Sequence, residues 1–488
     1  MTIFLCVSTA LCLTFISLEC VRVLQATCYL PWRGYFKVLF TRHFLYLFLA
    51  QVVCTALNFL CDYKWLQTLF VAIFSLLVNC SVAKTPLKFT KRVYRLLFAC
   101  FLAYFAACML FGLWQWIILV PFFTILGYFL TLPVECLINS RYLAMASRKL
   151  ADYPLQVIAV TGSYGKTTTK NMLSQLLTGS ITPPGSCNTP LGIAAFINKT
   201  ELYGVKYLVL EFGARKRGDV RKLCSLYKPT FGVVTGVCPQ HMATFKTFGN
   251  VIAAKRELVE CLPQRGVCLL NGADSILPSF AQAGICKKVV VGKQADVQVD
   301  SVTLLGTHLS VKCRGNSAKV FLPQFANYTA STFKLCLVAC NCLHQPFNET
   351  IANTAHVTQT EHRMQCTYNG VYHVVDDSYN AGISGVTNCC NTLARFDGYK
   401  VVIAQGITEG GSSGNALNEQ CGKLLGQTFS LCILVGKNSL GLAKGVRQVQ
   451  GKCVFADDLH QAVQIANSHL GKNDLLLFQN DLPDTANV

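Results

Sequence analysis

The stretch Leu155–Lys170, LQVIAVTGSYGKTTTK, decides the fold of this chain. Leu155–Val160 is a short apolar run rich in β-branched residues, and Thr161–Lys166 is a glycine-punctuated turn. A helix is expected to begin near Thr167. Strand, loop and helix in that order aim successive backbone N–H groups and the positive end of a helix dipole at one point, with Lys166 beside it. Gly162, Ser163, Tyr164, Gly165, Lys166, Thr167 and Thr168 are therefore candidates to hold phosphate oxygens. The Thr167 hydroxyl is also the natural ligand for a Mg²⁺ that accompanies them. The general phosphate-loop pattern wants glycine where this chain has Val160, so the loop is a short form of it.

Outward from that stretch, apolar runs at Lys206–Leu210, Thr230–Val237 and Gly266–Leu270 read as further strands. Each runs into polar residues: the first into Glu211, the second into Cys238-Pro239-Gln240-His241, the third into Asn271 and Asp274. In an open parallel sheet the carboxyl edge of the strands is where the ligand crevice forms. Lys287–Leu322 reads as short antiparallel strands, followed by a helix over Asn327–Cys342. Beyond that, strands and helices alternate: strand Tyr372–Val375, helix Ser384–Phe396, strand Lys400–Ala404, helix Asn415–Phe429, strands Leu431–Val435 and Lys452–Phe455, helix Asp457–His469, strand Asp474–Phe478. That is a small doubly wound α/β domain.

The N-terminal part is of another kind. The chain of 488 residues is 52% hydrophobic and 14% charged, with a net charge of +19, too apolar for ordinary soluble usage. Residues 1–150 hold thirteen Lys and Arg against Glu19, Asp62 and Glu135, so over half of the excess charge lies beside apolar segments. Five such segments can be drawn, Ile3–Leu18, Phe44–Leu60, Trp65–Cys80, Leu96–Leu113 and Trp114–Leu132; a four-span reading stays open. Basic residues crowd 20–43 and 83–95 and are nearly absent from the other connections. The positive-inside rule then places the N-terminus outside and everything after Arg141 in the cytoplasm. All four tryptophans, Trp32, Trp65, Trp114 and Trp116, fall near drawn ends. The 26 cysteines are scattered through apolar runs without zinc spacing and read as small reduced hydrophobes.

The segment TGSYGKTTT (161–169), followed in order by Glu211, His241, Lys255 in VIAAKRELVE and Asn271, resembles the Mur ligases. These are ATP-dependent enzymes that join amino acids or peptides to cell-wall precursors. EHRMQ (361–365) and VVDDSYNAG (374–382) resemble the C-terminal signature of the branch that adds D-alanyl-D-alanine. The apolar segments themselves give an α-helical membrane region over about 1–136, and the resemblance, which covers about 156–488, implies a P-loop parallel-sheet ATPase domain over 153–357 and a Rossmann-like α/β domain over 358–488. It implies that ATP and Mg²⁺ bind, with Thr167, Glu211, His241 and a carbamylated Lys255 on the metal. Asn271, Arg363 and Asp377 would meet the nucleotide, and Lys166, Lys255, His241 and Arg363 would serve catalysis. The acceptor would be a UDP- or lipid-linked muramyl peptide, the amine an amino acid or dipeptide, and the location the cell membrane, multi-pass. Two stretches depart from the pattern. Gln324-Phe325-Ala326-Asn327 stands where Gly-x-His-Asn is usual, and Gln405-Gly406-Ile407-Thr408-Glu409-Gly410 replaces the usual amine-side loop.

Other readings make different demands. A poly-γ-glutamate type of ligase would use the same machinery on glutamate. A transporter or sensor driven by the ATPase would need charged residues inside the spans, and no Asp, Glu, Lys or Arg lies within any drawn span. No nucleic-acid partner is expected, because the positive charge is largely juxtamembrane.

Overall fold

The computed structural model describes residues 2–27, 29, 35, 44–60, 64–79, 87–111, 117–240, 242–379, 382–407, 414–436 and 438–480. These form two compact units, one within residues 2–141 and the other within residues 142–480.

In the first unit the apolar segments are helices: α1 (Thr2–Ala26), α2 (Phe44–Leu60), α3 (Lys64–Asn79) and α4 (Lys91–Phe111). A fifth, α5 (Val120–Ala151), begins here. Among the described residues three helical stretches, Ile3–Ala26, Lys91–Phe111 and Ile117–Ala151, are long and apolar enough to cross a membrane. The expected second and third spans are helices of 17 and 16 residues, shorter than those three. The expected ends shift. The Lys91, Arg92 and Arg95 cluster lies inside α4, and position 136 falls inside α5. Trp32, Trp114 and Trp116 lie outside the described residues. Buried polar groups of this unit pair across its helices. Ser17 and Tyr104 hydroxyls pair at 2.8 Å, and Arg95 meets the buried Glu135 carboxylate at 2.6 Å. Phe98, Leu102, Leu110, Phe122, Phe129 and Leu130 are exposed on α4 and α5.

The second unit holds two six-stranded sheets. The first comprises β1 (Gln156–Thr161), β2 (Ser180–Ile181), β3 (Tyr207–Glu211), β4 (Phe231–Val234), β5 (Val267–Asn271) and β6 (Lys287–Val291) in the order β2-β3-β1-β4-β5-β6. All its pairings are parallel. Alternation within the apolar strands supplies both faces. Val157 and Ala159 join one core with Leu208 and Leu210; Ile158 and Val160 join the other with Val209 and Val233. On the second face lie α6 (Lys166–Leu176) and, further on, a helix over Thr329–Cys342. On the first lie α7 (Pro190–Lys199), α8 (Asp219–Tyr227) and α9 (Phe248–Cys261). The segment 287–322 differs from the all-antiparallel expectation. Its first strand is β6, a parallel edge of this sheet, and only β7 (Ala295–Thr303), β8 (Gly306–Cys313) and β9 (Asn316–Leu322) form the antiparallel meander.

The second sheet comprises β10 (Gln365–Tyr368), β11 (His373–Asp376), β12 (Lys400–Gly406), β13 (Leu431–Val435), β14 (Cys453–Ala456) and β15 (Leu475–Asn480), in the order β10-β11-β15-β12-β13-β14. It is parallel except for β10. Helices α10 (Ile383–Leu393), α11 (Gly414–Thr428), α12 (Ser439–Gln448) and α13 (Leu459–Asn467) cover it. The sequence reading has no element at α12.

Candidate functional site

Four parallel strands place their carboxyl ends on one edge of the first sheet, and the loops there build a cleft. It encloses about 1140 Å³ including the part open to solvent. Ser163–Thr169, Thr235, Cys238–Gln240 and Asn271 line it from the first sheet's side. Arg363, Asp377, Tyr379, Ser384 and Asn388 line it from the second's.

The loop after β1 is folded tightly against the end of β4. The Ser163 amide donates to the Gly236 carbonyl at 2.7 Å, the Thr235 hydroxyl donates to the Tyr164 carbonyl, and the Ser163 hydroxyl donates to the Cys238 carbonyl at 3.0 Å. Gly165 caps α6 with φ +72°, a conformation that suits glycine. A Cβ at Gly162 would come within 2.1 Å of the Thr235 hydroxyl. Gly162→Ala is therefore expected to push the loop off β4 and to weaken nucleoside triphosphate binding about 10–100-fold, from about 1–3 kcal/mol of overpacking. Titration of a fluorescent ATP analogue checks this; unchanged affinity contradicts it.

Tyr164 reaches over the loop, its hydroxyl donating to Asp274 at 3.1 Å, and the other contacts of Asp274 are to the backbone amides of Val237, Ile276 and Leu277. Asp274 is thus an organising carboxylate. Asn271 donates to the Thr235 carbonyl at 2.8 Å and stands at the cleft wall.

Lys166 begins α6, half-buried, and its ammonium donates to the Ser163 carbonyl at 3.1 Å. Burial lowers its pKa, the Glu211 carboxylate opposes that and Arg363 adds to it. Thr167 donates to Glu211 at 2.7 Å, and Asn188 donates to the other Glu211 oxygen at 3.0 Å. Glu211 is 1% exposed, and no ion pair neutralises it among the described residues. A buried carboxylate with a hydroxyl beside it and no bound counter-charge suits a hard divalent cation.

Lys255, on α9, is 3% exposed, and no hydrogen bond or ion pair holds its ammonium among the described residues. Burial first, then the Lys166 charge, brings it down to about 7, against the pull of Glu211. It is not the surface lysine that its helix pattern alone suggests. His241 lies outside the described residues.

From the second sheet, Arg363 lies over the Tyr379 ring at 4.4 Å and donates to the Tyr379 carbonyl. The Asp377 carboxylate accepts from the Met364 amide at 3.2 Å and from Gln479 at 3.2 Å. Burial raises its pKa to about 6, with Arg363 opposing. A carboxyl that keeps its proton up to pH 6 when folded but loses it near 3.8 when unfolded removes stability as pH rises between those values. The full penalty stands above pH 6. Asp377→Asn is expected to raise the thermal midpoint more at pH 7 than at pH 4, and equal shifts at both contradict it.

The sequence reading missed Asn188, Tyr328 and Asn388, and the buried Lys170, whose ammonium donates to the Pro183 and Gly185 carbonyls at 2.6 and 2.7 Å. For Asn188 a signal existed: Asn188-Thr189-Pro190 opens α7, with Thr189 accepting from the Gly192 amide.

Residues 160–339 match the family described as Mur ligase middle domain. The UDP-N-acetylmuramoyl-tripeptide–D-alanyl-D-alanine ligase of Escherichia coli (strain K12) is 26% identical over 311 residues, 60% of this chain and 68% of that protein. Its namesake in Mycobacterium bovis is 30% identical over 242 residues, and there the match spans 46% of either chain. Among solved structures, the MurF ligase from Thermotoga maritima in complex with ADP superposes with a TM-score of 0.60 at 20% identity, over 70% of this chain and 80% of that one. That last likeness is one of fold.

Proposed function

We propose, from the premise that this chain belongs to the Mur ligase family, that it is an ATP-dependent ligase adding D-alanyl-D-alanine to a muramyl-peptide precursor. The observation that carries the reading is the cleft itself, where a short phosphate loop ending in Lys166 faces Arg363 and Asp377 of the second sheet. A carboxylate of the acceptor attacks the γ-phosphate of ATP, giving an acyl phosphate and ADP. The incoming amine then attacks the acyl carbon, the amide forms, and phosphate leaves. Loop N–H groups and Lys166 stabilise the transferring phosphoryl group, Asn271 and Asp377 hold the nucleotide side, and Arg363 completes the cleft while water is excluded.

Thr167 and Glu211, with His241 and a carbamylated Lys255, would hold Mg²⁺, which screens the triphosphate so that a carboxylate can approach it. A carbamate ligates a cation where an ammonium cannot, and at pH 7 roughly half of the buried Lys255 is the neutral amine from which a carbamate forms. We assign the phosphate loop and first sheet to a P-loop ATPase domain, 153–357, and the second sheet to a Rossmann-like domain, 358–488. Residues 1–136 are assigned to the cell membrane, with the catalytic domains in the cytoplasm. The long apolar helices support this, and alkaline carbonate is expected to leave the protein in the membrane pellet; its release would contradict a spanning anchor.

The E. coli relative is named for a UDP-linked substrate; the membrane helices here favour a lipid-linked acceptor over a UDP-linked one. The test is phosphate release by detergent-solubilised protein with ATP and Mg²⁺. Release that needs both muramyl tripeptide and dipeptide supports the ligase. Release that ignores the dipeptide overturns it, and equal use of UDP- and lipid-linked acceptors removes the lipid preference.

A further inference from the structure

We propose that the segment Thr182–Thr189 is a strap that makes the orientation of the Glu211 carboxylate depend on the half of the cleft that carries Arg363, with Asn188 as its positioning residue. The segment connects β2 to α7 and touches three parts of the molecule. Its first anchor is the Thr182 hydroxyl, which donates to the Val209 carbonyl of β3 at 2.7 Å. The second is Lys170, fully buried on the second turn of α6, which donates to the carbonyls of Pro183 and Gly185. Among the described residues no carboxylate pairs with Lys170, and burial lowers its pKa. An apolar side chain would fill that space with less desolvation; the ammonium contributes a hold on the strap.

The far end of the strap meets the catalytic groups. Asn188 donates to one Glu211 oxygen, its carbonyl accepts from the Gly213 amide at 3.2 Å, and the other Glu211 oxygen is taken by Thr167. Glu211 is thus oriented by one group from α6 and one from the strap. Between the anchors and Asn188, the Ser186 hydroxyl bonds to the Tyr379 hydroxyl. Tyr379 in turn supports Arg363 by its ring and its carbonyl. A shift of the second sheet's side therefore acts on Ser186, two residues from the amide that sets Glu211. Partners that orient a metal-binding carboxylate change metal affinity without touching the metal. The inference rests on the ligase reading for the cation at Glu211.

The test is a Mg²⁺ titration of the binding of a non-hydrolysable ATP analogue to the full detergent-solubilised chain, followed by calorimetry. Asn188→Ala is expected to raise the half-saturating Mg²⁺ about tenfold. Ser186→Ala and Tyr379→Phe, which keep the Arg363 supports, are each expected to raise it about threefold. The double variant Ser186→Ala/Asn188→Ala should match Asn188→Ala alone, because Ser186 acts through Asn188. An unmoved Mg²⁺ midpoint in Ser186→Ala and Tyr379→Phe, or full additivity in the double variant, overturns the strap. Failure of the ligase reading is separable: the wild type would then show no acceptor-dependent phosphate release, while the titration still ranks the variants.

Discussion

Replacing Lys166 by alanine is expected to lower acceptor-dependent phosphate release by about 10²–10³-fold, the loss seen when one preorganised donor to a developing charge is removed. The loop's backbone amides remain in the variant, because its contacts to Gly236 and Cys238 do not involve the lysine side chain. Binding of ATP should weaken less than turnover falls. The ammonium is half-buried between the opposed charges of Glu211 and Arg363, and it donates to the Ser163 carbonyl rather than to a carboxylate, so it is poised for a phosphate rather than paired away in an ion bridge. Single-turnover phosphate release separates the two quantities. Loss of binding and turnover in equal measure would make Lys166 a mere affinity residue.

On the proposed ligase reading, Lys255→Ala is expected to cost a similar factor, about 10²–10³-fold, because it would remove one ligand of the metal that would screen the triphosphate. The effect has a signature that ordinary lysines lack. A carbamate forms when a neutral amine adds to carbon dioxide and releases a proton. A lysine near its usual pKa has fewer than about one neutral amine in a thousand at pH 7. At about 7, Lys255 has roughly half. Wild-type activity should therefore fall when buffers are stripped of carbon dioxide, return on addition of bicarbonate, and decline as pH drops below 7 at fixed bicarbonate. The alanine variant should respond to none of these. A wild type indifferent to bicarbonate would leave Lys255 as a buried lysine without a carbamate.

The edge on which the candidate site is built could be read from sequence because apolar strands and the polar residues after them are local. Glu211 and Asn271 each close a strand, and their parallel neighbours align those ends. What could not be read came from contacts distant in sequence. Helix α12 was hidden by its own packing. Gly445 lies so close to α11 that a Cβ would come within 1.9 Å of the Glu419 carbonyl, and Gly422 of α11 is as tightly placed against Leu442. The glycines that permit this approach are helix breakers by propensity, so local pattern and tertiary requirement disagree. The five residues of β6 carry no information on strand direction; the parallel pairing with β5 supplies it. Lys255 looks like a surface lysine because the burial that lowers its pKa comes from groups far along the chain, Lys166 and Glu211 among the nearest charges. The Asn188-Thr189-Pro190 run marks the start of α7 in the sequence, but the contact of Asn188 with Glu211, 23 residues away on another strand, has no local sign.

The most direct test of the ligase reading is mass spectrometry of the product formed from ATP, D-alanyl-D-alanine and a muramyl tripeptide whose terminal carboxylate carries ¹⁸O. The expected result is an acceptor heavier by the dipeptide less one water, one ADP per amide, and one ¹⁸O in the released phosphate, as an acyl phosphate requires. ADP formed without amide, or amide formed with unlabelled phosphate, would contradict it.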